Sequence, residues 1–217
     1  LIRAVIFDFD GTMLDTESLW YESFREVLAD HDIELPLEVF AKGIGTYDDS
    51  MFRYILERVG SEEVLEGLKQ TAIERHQVKS AELDLREGVV DYLREARELG
   101  LRIGLATSSP REWVEPFLVK HGLSEFFETL CTKDDVERVK PDPALYRLAV
   151  ERLGVAPAEA VAFEDSVNGM RAAIDAGLRC VIVPNPMTEQ LVFHGYDIRI
   201  RSMSDQPLKA LLSRLIP

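Results

Sequence analysis

The chain alternates short apolar runs rich in β-forming residues with amphipathic helical stretches, and this alternation narrows the fold more than any other feature. The runs read RAVIFDF, RIGLATS, ETLCT, AVAFEDS and RCVIVP in chain order. Each is apolar on both faces and ends in small or polar residues before a helical stretch. A strand that is apolar on both faces needs cover on both, which crossover helices on either side of a parallel sheet supply. A doubly wound α/β parallel sheet is therefore expected. The helices carry clear punctuation. The pattern from Gly88 to Leu99 stops at Gly100, Asp142 and Pro143 open a later helix, and Gly177 closes the one after it. Ser109 to Glu112 reads as a capping box with proline at the first helical position, and Pro116 falls inside the pattern that follows.

From about Asp15 to Ala81 the alternation stops. This segment holds only amphipathic helical patterns, such as Leu19, Phe24, Val27, Leu28 and then Phe52, Ile55, Leu56, Val59. The expected division is a core built from 1–14 and 82–217 with a helical domain, 15–81, inserted after the first strand. Both linkers would then emerge beside the C-terminal end of that strand. With 217 residues and 46% hydrophobic content, the chain can bury one good core and a small second one.

Charge excludes several partner classes. Lys and Arg number 25 against 39 Asp and Glu, a formal net charge of −14, which opposes binding to nucleic acid or to an anionic membrane surface. An anionic substrate would need locally placed cations. The two cysteines, Cys131 and Cys180, lie in apolar strand-like runs and make no disulfide framework, so they are expected as core residues of a protein kept reduced. No charged-then-apolar leader opens the sequence, and no apolar run approaches the roughly 18 residues of a membrane span. A soluble, cytoplasmic protein that acts as a monomer is expected.

Asp8 and Asp10 follow the first run at a spacing that, in an extended chain, points both carboxylates to the same side. Their repulsion calls for a counter-charge. In open parallel sheets the ligand crevice lies beyond the C-terminal ends of the strands. Thr107 and Ser108 follow RIGLA, Glu164 and Asp165 follow AVAF, and Lys140 heads a KPDP turn just before a helix. Several carboxylates with a hydroxyl and a lysine suit a hard divalent cation with oxygen ligands, and Mg2+ is the usual choice where phosphate oxygens complete the shell. Such a metal would let the aspartates coexist.

In order and spacing, DFDGTMLDT, LATSS, VKPDP and FEDSVNGM resemble the four motifs of the haloacid dehalogenase superfamily of aspartate-nucleophile phosphotransferases. The helical insert resembles the cap of the subgroup containing β-phosphoglucomutase and small sugar-phosphate phosphatases, and the likeness spans essentially the whole chain. It implies a Rossmann-like core with an inserted cap, a Mg2+ cofactor and a small phosphorylated metabolite as substrate. Asp8 is then the nucleophile that becomes an aspartyl phosphate. Asp10 is the acid for the leaving alkoxide and then the base for water. Thr107, Ser108 and Lys140 hold the phosphoryl oxygens. Mg2+ would take Asp8, Asp165 and the Asp10 carbonyl, with Glu164 bound directly or through a water. Thr12 matches the position that orients the second aspartate.

Other residues take structural roles by default. Asp15 reads as a hinge or turn residue, and Gly11 and Gly169 as positions of special backbone geometry. Asn168 either orients Asp165 or starts its helix. His31, His76, His121 and His194 lack ligand spacing and are expected at the surface or in packing.

Within the superfamily the resemblance leaves a phosphatase and a sugar-phosphate mutase. The mutases carry a hinge histidine where this chain has Trp20, and a cap arginine where it has Tyr47, although Arg53 lies close by. Both departures favour the phosphatase. The SLW stretch also resembles a segment of hexose and hexitol phosphate phosphatases. Substrate choice would fall to Glu17, Trp20, Tyr21, Tyr47 and Met51 in the cap. A phospho-receiver, which also clusters aspartates, a threonine and a lysine, lacks an insert and has no need of Asp10.

Overall fold

The computed structural model of the chain describes residues 1–45 and 49–215. Strands β1 (Ala4–Phe7), β2 (Arg102–Ala106), β3 (Thr129–Cys131), β4 (Ala160–Glu164), β5 (Arg179–Ile182) and β6 (Ile198–Arg199) form one sheet in the order β3-β2-β1-β4-β5-β6. Every pairing is parallel. The order reverses between β1 and β4, which makes a crevice at their C-terminal ends. Helices α1 (Thr16–Ala29), α2 (Leu37–Ala41), α3 (Ser50–Val59) and α4 (Glu62–Ser80) come between β1 and α5 (Val89–Glu98). Then follow α6 (Arg111–Lys120), α7 (Ala144–Leu153), α8 (Val167–Asp175) and α9 (Leu208–Ser213). Among the described residues, no helix is long and apolar enough to cross a membrane.

The doubly apolar strands divide their side chains between two cores. Val5, Phe7, Val161, Phe163 and Val181 enter one, closed by α5, α6 and α9; Ala4, Ile6, Ala162, Cys180 and Ile182 enter the other, closed by α7 and α8. Phe7 pairs in register with Phe163, and their rings stack at 4.9 Å with 11° between planes. This fixes β1 against β4 one residue before their functional ends. Cys131 and Cys180 are buried free thiols. The short β6 was not among the apolar runs, because two paired residues carry too little periodicity to stand out.

The four helices after β1 bury a third apolar cluster around Phe24, Leu28, Ile55, Leu68 and Ala72. Their two linkers lie side by side, with Leu14 bridged to Leu85 and the Arg86 N–H donating to the Met13 carbonyl at 2.8 Å. The Arg86 guanidinium then donates to the carbonyls of Gly11, Val183 at 3.0 Å and Pro184 at 2.6 Å. One side chain thus ties the loop after β1 to the end of β5.

The capping box expected at Ser109 is not formed. Helix α6 begins at Arg111 behind Pro110, with no side-chain cap from Pro110 itself, and the Arg111 N–H donates instead to Asp134 at 2.8 Å. A neighbouring loop satisfies the exposed helix start, which leaves the Ser109 hydroxyl for another partner. Pro116 sits inside α6 as expected.

Arg86→Met should strip partners from several part-buried carbonyls and lower the unfolding free energy by about 3 kcal/mol. The measurement is a urea titration, read as a lower midpoint at unchanged slope. A wild-type midpoint would mean that the guanidinium ties nothing that water cannot replace.

Candidate active site

The strand ends at the crevice between β1 and β4 gather buried charge. The Asp8, Glu164 and Asp165 carboxylates offer oxygens that all lie within 4.8 Å of one another, and all three residues are buried. Lys140, only 1% exposed, pairs its ammonium with Asp8 Oδ1 and, at 2.7 Å, with Glu164 Oε1. Burial alone would pull its pKa down; Asp8 and Glu164 outweigh burial and push it up. The lysine is held charged.

The carboxylates are in excess. Burial pushes Glu164 up to about 7 despite the opposing pull of Lys140. Asp165 is raised well above the carboxylate range, by burial first and then by Asp8, Glu164 and Glu17, with Arg86 opposing. Half-buried Glu17 on α1 is pushed up to about 8 by burial and by Asp10, Asp8 and Asp15. A site that draws protons this strongly is short of positive charge. All these donors are hard oxygens, so the set fits a divalent cation such as Mg2+.

Each carboxylate is also held by polar neighbours. Asp165 accepts from the Thr12 hydroxyl at 3.1 Å and from Asn185 Nδ2 at 2.7 Å, and Glu164 Oε1 accepts from the Tyr146 hydroxyl at 2.5 Å. Asp10 accepts through Oδ2 from the Ser109 hydroxyl at 2.6 Å and through Oδ1 from Trp113 Nε1 at 2.9 Å. Burial raises the Asp10 pKa, and these two bonds work against the rise. Two glycines allow the close approach. Gly11 has φ 78°, and a Cβ there would run into Asp165 and Asn185; a Cβ at Gly169 would overlap the Glu164 carboxylate.

The haloacid dehalogenase-like hydrolase family pattern matches residues 5–183. The chain belongs to this family. It is 48% identical to a putative phosphatase, YhcW, of Bacillus subtilis over 99% of this chain and 98% of that protein. It is 31% identical to hexitol phosphatase B of Escherichia coli K12, with 97% of each covered. Among solved structures, a CbbY mutant from Rhodobacter sphaeroides in complex with xylulose-1,5-bisphosphate superposes with a TM-score of 0.78 at 31% identity. That match covers 97% of this chain and 99% of the other.

The haloacid dehalogenase-like core brings Asp8, Asp10, Thr107, Lys140, Glu164 and Asp165 to one sheet edge. Thr107 is buried, and its hydroxyl accepts from the Ser109 N–H at 3.0 Å. Ser108 donates to the Gly45 carbonyl at 3.1 Å, and Asn168 donates to that of Ile44 at 2.9 Å. Asn168 thus neither orients Asp165 nor caps α8, where Ser166 accepts from the Gly169 N–H. Thr12 turns to Asp165 rather than to Asp10, since the loop at Gly11 folds back against Asp165. Asp15 accepts from the Ser18 N–H and caps α1.

Among the insert residues, Glu17 on α1 lies close enough to Asp10 and Asp8 for their charges to raise its pKa, whereas Trp20 packs against the insert's own apolar cluster and Met51 is buried inside it. Tyr21 donates its hydroxyl to the Leu35 carbonyl at 3.0 Å. Tyr47 lies outside the described residues. Sequence reasoning missed Ser109 as a partner of Asp10, and missed Trp113, Tyr146, Asn185 and Arg86 altogether. Asn185 had a legible signal, since it sits just beyond the RCVIVP run, where a site residue belongs.

His76 on α4 bears out the packing role. It is 1% exposed, its ring is stacked on Trp20 at 3.6 Å, and neither ring nitrogen has a hydrogen-bond partner among the described residues. Burial lowers its pKa from 6.5 to about 4. Unfolding therefore takes up a proton between these values, so stability is complete above pH 6.5 and falls as pH drops toward 4. In His76→Phe that part of the pH slope should vanish. Urea midpoints measured between pH 7 and pH 5 test this, and an unaltered slope in the variant would place the titration elsewhere.

Proposed function

We propose that this chain is a Mg2+-dependent phosphatase that hydrolyses a small phosphorylated metabolite, of the sugar-phosphate class, through an aspartyl phosphate on Asp8. Family membership and the phosphatase names of its relatives make it a phosphoric monoester hydrolase. The observation that carries the mechanism is the buried ammonium of Lys140 between Asp8 and Glu164, with Asp10 two residues beyond the nucleophile.

Asp8, Asp165 and the Asp10 carbonyl would hold the metal, and Glu164, with Oε1 engaged by Lys140 and Tyr146, would complete the set through its other oxygen or a water. When bound, Mg2+ would offset the charge of the carboxylates and of the phosphoryl group. Lys140 pairs with Asp8 and aligns it. An Asp8 oxygen attacks phosphorus, the phosphorus–oxygen bond to the substrate breaks, and the departing alkoxide takes a proton from Asp10. Asp10 then removes a proton from water, whose oxygen attacks phosphorus and frees Asp8 and phosphate. Thr107, Ser108 and Lys140 would cradle the phosphoryl oxygens, whose charge is spread in the transition state.

The insert 15–81 is proposed as a cap over a core of 1–14 and 82–217. The bonds from Ser108 and Asn168 to the loop after α2 support this, as do the paired linkers at Leu14 and Leu85. Glu17 and Trp20 would face the substrate from the cap. The Trp20 ring stacks on His76, a packing role that supports hydrolysis over mutase chemistry.

Asp8→Asn should leave the fold intact and reduce phosphate release from any substrate to background, since it removes the nucleophile at constant volume. Turnover near wild type in the folded variant would overturn the mechanism. With a sugar monophosphate and Mg2+, the wild type should release stoichiometric phosphate without priming by a phosphodonor, and chelation by EDTA should stop it. Priming-dependent isomerisation with negligible free phosphate would instead make the chain a mutase.

A further inference from the structure

We propose that Trp113 is a positioning residue for Asp10, and that the stack of Trp20 and His76 on its ring lets the helical insert set where Asp10 sits. The proposal rests on the reading of Asp10 as acid and base.

Asp10 lies just beyond β1; Thr16 at the start of α1 also reaches its carboxylate, and each of its oxygens has a donor on the α6 side of the crevice. Oδ1 accepts from Trp113 Nε1 at 2.9 Å and Oδ2 from the Ser109 hydroxyl at 2.6 Å. The two donors differ in kind. An indole N–H can only donate, so Oδ1 stays an acceptor, whereas a hydroxyl can donate or accept. Trp113 therefore fixes Oδ1 as an acceptor whichever way the Ser109 hydroxyl at Oδ2 turns.

The direction of an indole N–H is set by the plane of its ring, so whatever fixes the Trp113 ring fixes Oδ1. Two neighbours grip it. Phe117, on the same helix, packs edge-on with centroids 4.9 Å apart. His76 lies 5.3 Å away, tilted at 38°, and is itself stacked on Trp20 at 3.6 Å and 8°. Phe117 belongs to the core, but His76 and Trp20 belong to α4 and α1. The row of rings therefore crosses from the insert to the core and ends on the Asp10 carboxylate.

His76 gives the row a preference between two arrangements. Its nitrogens are buried without hydrogen-bond partners among the described residues, which is unfavourable for polar atoms taken out of water. Lifting the insert would hydrate the imidazole and part it from Trp113. Seating the insert closes the stack and fixes the indole. Asp10 is thus held for chemistry when the insert covers the strand ends, and is released on one side when it does not.

The test compares p-nitrophenyl phosphate with phenyl phosphate, two probes of similar shape whose leaving groups differ in their need for a proton. Trp113→Phe keeps the ring and removes the N–H. It should lower kcat for phenyl phosphate about 10-fold, spare p-nitrophenyl phosphate by comparison, and leave KM within about twofold. In an Asp10→Asn background the same substitution should cost nothing further. His76→Ala should reproduce the leaving-group-dependent loss, and His76→Phe, which restores a ring, should recover most of it. If Asp10→Asn itself shows no leaving-group dependence, the reading of Asp10 fails. If it does, but Trp113→Phe is equally costly in both backgrounds, Trp113 acts independently of Asp10 and the inference fails alone. Equal losses in His76→Ala and His76→Phe, or none in either, would sever the insert from Asp10.

Discussion

The buried ammonium of Lys140 is the interaction on which the site depends. An unpaired charge at that depth would be several kcal/mol unfavourable, and pairing is what makes it tolerable. Lys140 meets two carboxylates, Asp8 at the end of β1 and Glu164 at the end of β4, so one side chain joins both strands at the point where the sheet order reverses. It does not balance the site. Asp165, Asp10 and Glu17 remain close by, with Arg86 the next cation, and burial drives all three toward holding protons. The unmet charge is what a divalent cation among Asp8, Glu164 and Asp165 would offset.

Holding so much like charge in one place requires a rigid frame. The Phe7–Phe163 stack and the in-register β1–β4 pairing fix the two strand ends, and Arg86 and Asn185 tie the loop at Gly11 to the end of β5. The backbone approaches closely only because Gly11 and Gly169 have no side chain to place. Stability and function are coupled here. The contacts that keep the carboxylates from moving apart are the same ones that set their mutual distances.

The insert meets this frame in two chemically different ways. Near Ser108 and Asn168 the contact is polar and made to backbone carbonyls of the loop after α2. Near Trp113 it is a row of aromatic rings, and Lys120 at the far end of α6 donates to the Ala81 carbonyl at 2.8 Å. Polar ties exchange readily with water, whereas a ring stack is lost as a unit when its surfaces part.

The sequence by itself determined the layered α/β fold, the place of the helical insert and the strand-end residues. Those properties follow from local periodicity and from the rule that strand ends line the crevice. The runs that were apolar on both faces became β1 to β5; Asp8, Glu164 and Asp165 came together at their strand ends, and Lys140, from the turn before α7, reached Asp8 and Glu164. Tertiary structure alone decided which polar groups serve which carboxylate. Ser109 had the local signature of a helix cap, yet Asp134, from a loop 23 residues further along the chain, took over the start of α6 and left that hydroxyl to Asp10. Thr12 turned to Asp165, and Asn168 to the insert, because the nearest acceptor in space was not the nearest in sequence. Trp113 and His76 had no pattern to betray them. A ring on a helix face reads as core until the fold reveals which N–H it aims, and at what.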